Sequence, residues 1–315
     1  MAIQILQMII FPGFLFLTAF AMLAEYLDRI LYARFQNRKG PPWFQPFADF
    51  IKLVAKEDIV PEHANPFVFK LMPVLALTSV ITASFYIPLW DNKALFSFEG
   101  DLIVVVYLLT IPTVSFFLGG WFSQSLYATI GAMRNLTQLF AYEVPLFLAI
   151  LSPALLAHTW SLSEMTLFYN THLWLLPFNI IGFGVAMIAL LGKLEKVPFD
   201  IPEAETEIVA GSFTEYSGRL LAFFRMAIDI EMVVGASLVA AVFLPFGLGI
   251  NPILGFILYI LKVVFVIFLL ALLRSVFARL RIEQMMDFCW KYLAPAAFLQ
   301  IIICVILKGC LLYTS

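Results

Sequence analysis

The sequence predicts an all-α protein, a polytopic integral membrane bundle of about eight transmembrane helices with one amphipathic lateral helix beside them. Of its 315 residues, 63% are hydrophobic and only 13% are charged, whereas about a quarter of the residues in a soluble domain are charged. Apolar surface on this scale requires lipid as its solvent. We therefore expect a single integral membrane domain over residues 1–315, with the lipid bilayer around it. The net charge of -2 gives no indication of nucleic-acid binding.

Eight apolar segments are long enough to cross a bilayer, because a spanning helix needs about 20 apolar residues. The first segment lacks the basic lead-in of a secretory signal and is longer than a signal core, which favours a retained helix. The fourth is the least regular, because Arg134 and Glu143 lie inside it. The eight predicted spans are 3–28, 67–90, 102–121, 129–157, 174–192, 220–245, 252–273 and 290–312.

Basic residues segregate between alternate links, and this asymmetry orients the bundle. The links after the second, fourth and sixth spans contain a single basic residue, Lys93. Cytoplasmic links carry the excess of lysine and arginine in membrane proteins. The sequence thus predicts a cell-membrane protein with both termini outside. Twelve basic residues lie in the other links: Arg34, Arg38, Lys39, Lys52, Lys56, Lys193, Lys196, Arg219, Arg274, Arg279, Arg281 and Lys291.

Residues 44–57 form a different pattern from the spans. Apolar side chains recur at i, i+3, i+4 and i+7, with charged residues on the opposite side, which is typical of an amphipathic helix in the membrane interface. The same pattern would suit a helix packed on a partner subunit, and the two interpretations are compatible. The apolar positions are Phe47, Phe50, Ile51 and Val54.

Ionisable residues inside membrane segments are costly and indicate function by default. Near the inner end of the first span, Glu25 and Arg29 are spaced to pair along one face, beside Asp28. That pair could equally be an interfacial anchor of the helix end. In the fourth span, Arg134 and Glu143 are separated by about 13 Å of helical rise, so each needs a partner on another helix.

A third acidic group follows the fifth span, in a predicted cytoplasmic loop over about 193–219. Repulsion between close carboxylates, together with partial burial, raises carboxyl pKa values toward neutrality. A solvated acidic loop is the alternative, but prolines and interspersed apolar residues favour an ordered, partly buried one. Its five carboxylates are Asp200, Glu203, Glu205, Glu207 and Glu215.

The sixth span contains Asp229 and Glu231, which point to different helix faces. Arg225 is spaced to pair with Asp229 at i, i+4, which leaves Glu231 as the expected relay group. Lys262, alone in the seventh span, is a plausible partner for it. Together these groups describe a chain of ionisable residues that enters a membrane bundle, and proton conduction follows as a hypothesis.

No catalytic or metal-binding motif is visible in the chain. The three cysteines are scattered near the last apolar stretch, and the three histidines lie in links without ligand spacing. A nucleophile with its base, a phosphate loop and a dinucleotide fingerprint are all missing from the sequence. We therefore expect no metal, no organic cofactor and no active site within this polypeptide.

At these residues the sequence resembles the family of the H-type membrane subunit of complex I, called subunit 1 in mitochondria, and its relatives in membrane-bound nickel–iron hydrogenases. The resemblance covers nearly the whole chain in order. Its most specific part is residues 198–205, PFDIPEAE, continuing to Gly211 and then Glu215. The other matching motifs are residues 25–29 (EYLDR), 36–42 (QNRKGPP) with 45–58, 141–144 (AYEV), 279–284 (RLRIEQ) and 290–292 (WKY).

Two departures favour the hydrogenase branch of that family. Residues 40–44 are GPPWF where quinone-reducing members usually have Gly-Pro-Asn-Arg-Val-Gly, and residues 193–196 are KLEK where they usually have a Thr-Asn-Arg run. The resemblance implies a subunit of a ferredoxin-linked, membrane-bound hydrogenase or a related sulfur-reducing complex that couples electron flow to ion movement. A quinone-reducing complex I is the alternative, and a stand-alone ion-coupled transporter is a third.

The resemblance also implies partners and roles. Hydrogenase-like large and small subunits with iron–sulfur proteins would hold the nickel–iron (NiFe) centre and the clusters, and antiporter-like membrane subunits would lie alongside. Protons, or electrostatic stress, would pass through the carboxylates named above. The peripheral module would dock on Arg38, Asp49, Lys52, Lys193, Lys196, Arg279 and Arg281.

Overall fold

The computed structural model describes residues 2–91, 93–247 and 251–314, without the side chains of 2–5, 205–206 and 310–314, and those residues are helical wherever they are regular. Two short 3₁₀ segments (Leu173–Asn179, Gly211–Phe213) and one π-helical turn (Cys289–Leu293) interrupt the α-helices. The α-helices are α1 (Ala2–Ile9), α2 (Phe14–Phe35), α3 (Gln45–Val54), α4 (Pro66–Ser84), α5 (Asp101–Phe122), α6 (Leu126–Ala157), α7 (Leu162–Thr171), α8 (Ile180–Lys193), α9 (Glu205–Ile208), α10 (Gly218–Phe243), α11 (Pro252–Val276), α12 (Ile282–Phe288) and α13 (Ala294–Thr314).

Eight stretches within the described residues are long and apolar enough to cross a membrane, so all eight predicted spans are confirmed. The first continues to Phe35 because its charged residues are paired within the protein. The second ends at Ser84 rather than 90, because Pro88 disfavours helix at the preceding residues. The spans are Leu6–Phe35, Pro66–Ser84, Asp101–Phe122, Leu126–Ala157, Leu173–Lys193, Gly218–Phe243, Pro252–Val276 and Ile282–Gly309.

Helix α10 is the central element of the bundle. It packs against α2, α4 and α11, and nearly every residue from Ile230 onward is buried. Small residues permit this close approach: a Cβ on Gly235 would lie 2.6 Å from the Leu190 side chain on α8. Glu231 is therefore held in the interior of the protein, whereas Asp229, two residues earlier on α10, is partly buried.

The predicted lateral helix is present as α3, shorter at both ends than residues 44–57. Phe47 and Phe50 pack against the core, whereas Ile51 is 66% exposed. Asp49 accepts a hydrogen bond from Arg29 at 3.1 Å, which ties α3 to the first span.

The segment after α3 caps the sixth span. Asp58 accepts hydrogen bonds from the backbone N–H of Arg219 at 2.7 Å and from its Nε at 2.8 Å. Gly218, with φ of +60°, has to be glycine here, since a Cβ would lie 2.5 Å from Asp58 Oδ1. The lateral segment and α10 are thus joined directly.

The acidic loop is ordered and partly buried, as the sequence indicates. Phe199 and Ile201 lie in the core, and the Leu280 N–H donates to the Pro198 carbonyl at 3.1 Å. Gly211, with φ of +55°, permits the loop to fold back on Pro202. The loop therefore lies against the bundle rather than in solvent.

Candidate ion-coupling site

Lys193 lies between two glutamates in the interior of the bundle. Its Nζ is 3.4 Å from Glu231 Oε1 and 4.0 Å from Glu143 Oε2, so α8, α10 and α6 each contribute one charge. The side chains of Lys193 and Glu231 are 1% exposed and that of Glu143 is 12% exposed. We call this set of three the buried triad. The sequence-based assignment of Lys193 to a docking surface is wrong, because its ammonium is turned inward.

The buried triad has one more negative than positive charge, and neutral donors do not compensate for it. Neither carboxylate oxygen of Glu143 or Glu231 receives a hydrogen bond from the described residues. The ring of Tyr142 lies 5.6 Å from Lys193 Nζ, and its hydroxyl is 3.0 Å from Thr113 Oγ1. A buried charge without compensation is costly, so this arrangement favours the uptake of a proton by one carboxylate.

Two predicted partners of these acids are replaced by others. Lys262 does not pair with Glu231; its Nζ donates to the Phe246 carbonyl and lies over the Phe246 ring. Arg225 does not pair with Asp229 but lies 3.1 Å from Glu203 in the acidic loop. The i, i+4 spacing along α10 favoured Asp229 as the partner of Arg225. The fold instead brings the carboxylate of Glu203 closer to Arg225.

A second ion cluster joins the first span to the loop that follows α8. Asp28 accepts from Lys196 at 2.6 Å and from Arg274 at 3.0 Å, while Glu25 is 2.7 Å from Arg29. The predicted Glu25–Arg29 pair is therefore confirmed. Burial disfavours the charged form of Lys196, but the nearby carboxylates of Asp28 and Glu25 raise the pKa of Lys196 above its ordinary value. Lys196 is thus part of the interior and not of the predicted docking surface.

A cavity of about 580 Å³ lies between α2, α3, α10 and the acidic loop. One wall is apolar, with Phe50 of the lateral helix and Met226 of α10. At about 30 Å³ per water molecule, the space could hold a chain of waters or a flat organic ring. Its ionisable lining is Glu25, Arg29, Asp49, Glu195, Lys196, Asp200, Glu203, Arg225, Asp229, Arg274 and Arg279.

Glu195, in this lining, is a site residue that the sequence did not reveal. The residue is 8% exposed, and Asn135 Nδ2 donates to its Oε1 at 2.8 Å. Burial, and then the nearby charges of Glu203 and Glu231, raise the pKa of Glu195 well above its ordinary range. No local pattern distinguishes Glu195, because it lies between Lys193 and Lys196 in a link that the sequence predicts to be charged and cytoplasmic.

The remaining loop carboxylates form separate, more exposed ion pairs. Asp200 is 2.9 Å from Arg279, and Glu207 is 2.6 Å from Arg134. Hydrogen bonding to Arg134 lowers the pKa of Glu207, so this carboxylate is not one of the loop acids whose pKa is raised. Glu215 is partly buried and makes no ion pair within the described residues. The side chain of Glu205 lies outside the described residues.

The other residues predicted to dock a peripheral module lie near the surface. Arg38, Lys52 and Arg281 are exposed, and Asp49 and Arg279 are partly exposed within ion pairs. In the part of the chain that the structure describes, no three histidine, cysteine or acidic side chains converge as metal ligands would.

An eight-span bundle with paired charges in its interior and a cavity beside a lateral helix defines a class of membrane-embedded subunits of redox complexes. The family model described as NADH dehydrogenase matches residues 6–305, and the chain belongs to that family. It is a complex I-like membrane subunit of the H type, so the resemblance found in the sequence is confirmed.

Curated relatives and a solved structure extend this similarity over most of the chain. The H-type subunit of the NADH-quinone oxidoreductase of Thermomicrobium roseum is 35% identical over 92% of each chain. That of Carboxydothermus hydrogenoformans is 33% identical over 92% of this chain and 85% of its own. A chain of the membrane-bound sulfane sulfur reductase, an archaeal respiratory membrane complex, matches with a TM-score of 0.82 at 27% identity, over 92% of this chain and 96% of its own.

Proposed function

We propose that this chain couples electron transfer in a peripheral redox module to the movement of protons or sodium ions across the cell membrane. The complex would be a ferredoxin-linked membrane-bound hydrogenase or a related sulfur-reducing complex. The chain itself would carry no redox cofactor; the nickel–iron centre and iron–sulfur clusters would belong to hydrogenase-like partners, and antiporter-like subunits would complete the membrane part.

The observation that carries this proposal is the buried triad and its nearness to the cavity wall. Glu143 and Glu231 keep carboxylates inside a membrane bundle with Lys193 between them. Intramembrane ionisable groups of this kind mark ion pathways. Because such titrations are interdependent, a change of charge at the cavity alters the protonation of the triad. Electron transfer above the cavity would supply that change.

Glu143→Gln is the sharpest test, because the amide keeps the shape while abolishing proton exchange. We expect the purified complex to assemble and to keep its redox half-reaction with an artificial donor. Coupled ion uptake into proteoliposomes should fall by about tenfold or more, as expected when a positioned proton-transfer group is lost. Glu164→Gln, an exposed glutamate at the start of α7, is the matched control and should leave transport unchanged. Normal transport in the Glu143 variant would contradict the proposal.

The second candidate is a quinone-reducing complex I. Both curated relatives carry that name at identities above 30%, and the cavity has room for a ring. The two candidates differ in the chains that co-purify with this one. A nickel-binding large subunit would support the first candidate, and an NADH-oxidising module would support the second.

We also propose that both termini lie outside the cell, from the segregation of basic residues. A cysteine introduced at the exposed position of Arg38 should then resist an impermeant thiol reagent in intact cells, while one at Lys93 should react. The reverse result would invert the orientation.

A further inference from the structure

We infer that Glu195 is the carboxyl group through which the cavity exchanges protons with the buried triad. This inference rests on the proposed coupling function and assigns a role to a residue in it. Three observations on the position, the unpaired oxygen and the backbone of Glu195 carry it.

The first observation is the position of Glu195 between two compartments. Its side chain lines the cavity, and it lies two residues after Lys193, whose ammonium is 3.4 Å from Glu231. Lys193 and Glu231 themselves do not line the cavity. Two cavity-lining carboxyls lie two residues from a member of the triad, Glu195 after Lys193 and Asp229 before Glu231. We assign the exchange to Glu195 because the charge of Glu231 acts on it directly.

The second observation is that one carboxyl oxygen is fixed and the other is free. Asn135 Nδ2 donates to Oε1 at 2.8 Å, whereas the buried Oε2 has no hydrogen-bond partner among the described residues. An unpaired oxygen on a residue that is only 8% exposed is costly, unless a proton or a water molecule satisfies it. The amide donor suits both protonation states, because it can donate to a carboxylate or to the carbonyl oxygen of the acid.

The third observation is the backbone that directs the side chain. Glu195 has φ of +51°, a left-handed conformation that is uncommon outside glycine, asparagine and aspartate. Gln138 Nε2 donates to the Gly192 carbonyl at 2.7 Å, so two side chains of α6 hold the turn that follows α8. Strain of this kind persists only where the surroundings impose it, and here it turns a carboxyl group into the cavity wall.

The chemistry is a proton transfer alone. The O–H bond of protonated Glu195 breaks as an O–H bond forms on a carboxylate of the triad, directly or through an intervening water. A proton relayed from solvent along the cavity water then restores the O–H bond of Glu195. Lys193 keeps its charge throughout, and no electron is exchanged. Burial raises the pKa of Glu195, which favours its protonated form.

Glu195→Gln and Glu195→Asp in the complete complex test this role. The glutamine keeps the hydrogen bond from Asn135 but cannot exchange a proton, so ion uptake per electron pair should fall by about tenfold or more while assembly and redox turnover stay normal. The aspartate should restore a substantial part of the uptake. Glu164→Gln is again the matched control, since this exposed glutamate does not line the cavity; its uptake should equal that of the wild type.

Each outcome decides the matter. Wild-type uptake in Glu195→Gln would overturn the inference, while loss of uptake in Glu143→Gln would still support the proposed function. If Glu195→Gln fails to assemble, ion uptake is measured in Asn135→Ala instead. This variant removes the hydrogen bond that holds the Glu195 carboxyl but leaves the carboxyl in the chain. In assembled Asn135→Ala we expect lowered uptake, since the carboxyl is no longer held in the cavity wall, and wild-type uptake there would overturn the inference.

Discussion

Asp101 and Glu231 are both completely buried carboxylates, yet their surroundings differ in kind. Asp101 begins α5 and accepts from the Leu162 N–H at 2.6 Å and from two serine hydroxyls at 3.3 and 3.4 Å. Glu231, in the middle of α10, faces the ammonium of Lys193 and receives no hydrogen bond from a neutral donor among the described residues.

The difference is between an acid held by fixed neutral donors and an acid held by a shared cation. Neutral donors and a helix N-terminus stabilise the charge of Asp101 permanently, and they join α5 to the start of α7. Glu231 depends on one cation that it shares with Glu143, so its charge changes whenever that cation or a nearby proton moves. Burial alone therefore does not indicate function; the kind of partner does.

The largest effect is expected when the shared cation is removed. Lys193→Met leaves two carboxylates in the interior without a cation, and an unpaired buried charge costs about 3–5 kcal/mol. We expect the yield of assembled complex to fall severely, measured by co-purification of the partner chains. Lys291→Met removes an exposed lysine whose pair with Asp287 lies at the surface, and it should assemble normally.

Restoring the charge balance should restore assembly but not transport. In Lys193→Met combined with Glu231→Gln, one acid remains instead of two, so the complex should recover while ion uptake stays low. Recovery of uptake in this double variant would mean that the triad is structural, like Asp101, and the contrast between the two regions would fail.

A smaller effect, and only on stability, is expected at Asp101. Asp101→Ala leaves the buried Leu162 N–H without its acceptor, at a cost of about 1–3 kcal/mol. The temperature of thermal inactivation should fall by several degrees, while the ions moved per electron pair remain those of the wild type. A changed ratio would show that Asp101 also belongs to the coupling machinery.

The smallest effect is expected at the surface pair of Glu207 and Arg134, 2.6 Å apart. Because Arg134 depresses the pKa of Glu207, the stabilisation is present above the unfolded pKa of about 4.3 and is lost as the pH falls through the folded value. Glu207→Gln should therefore be marginally less stable than the wild type at pH 7, and the difference should shrink as the pH falls below about 4.3. An exposed ion pair contributes little to the free energy of unfolding. A large difference in stability at pH 7 would therefore show that a partner subunit shields this pair from solvent.

The eight spans and the lateral helix could be predicted from the sequence because hydropathy and periodicity are local. Twenty apolar residues commit a segment to the membrane regardless of what it packs against. The pairing of Glu25 with Arg29 could also be predicted, since i, i+4 neighbours lie on one face of a helix, although Arg225 and Asp229 have the same spacing and do not pair. The basic links also indicated an orientation for the bundle.

Which charges meet across the bundle was decided by the tertiary structure alone. Lys193, Glu143 and Glu231 lie on three helices, and their meeting depends on how α8, α6 and α10 are rotated against one another. Glu195 gained its burial from a left-handed turn held by Asn135, which no pattern of neighbouring residues specifies. The sequence determined which ionisable groups enter the membrane, because their cost there is a property of each residue. Helix packing determined which of them lie close enough to interact, because that depends on distances of a few ångströms between distant parts of the chain.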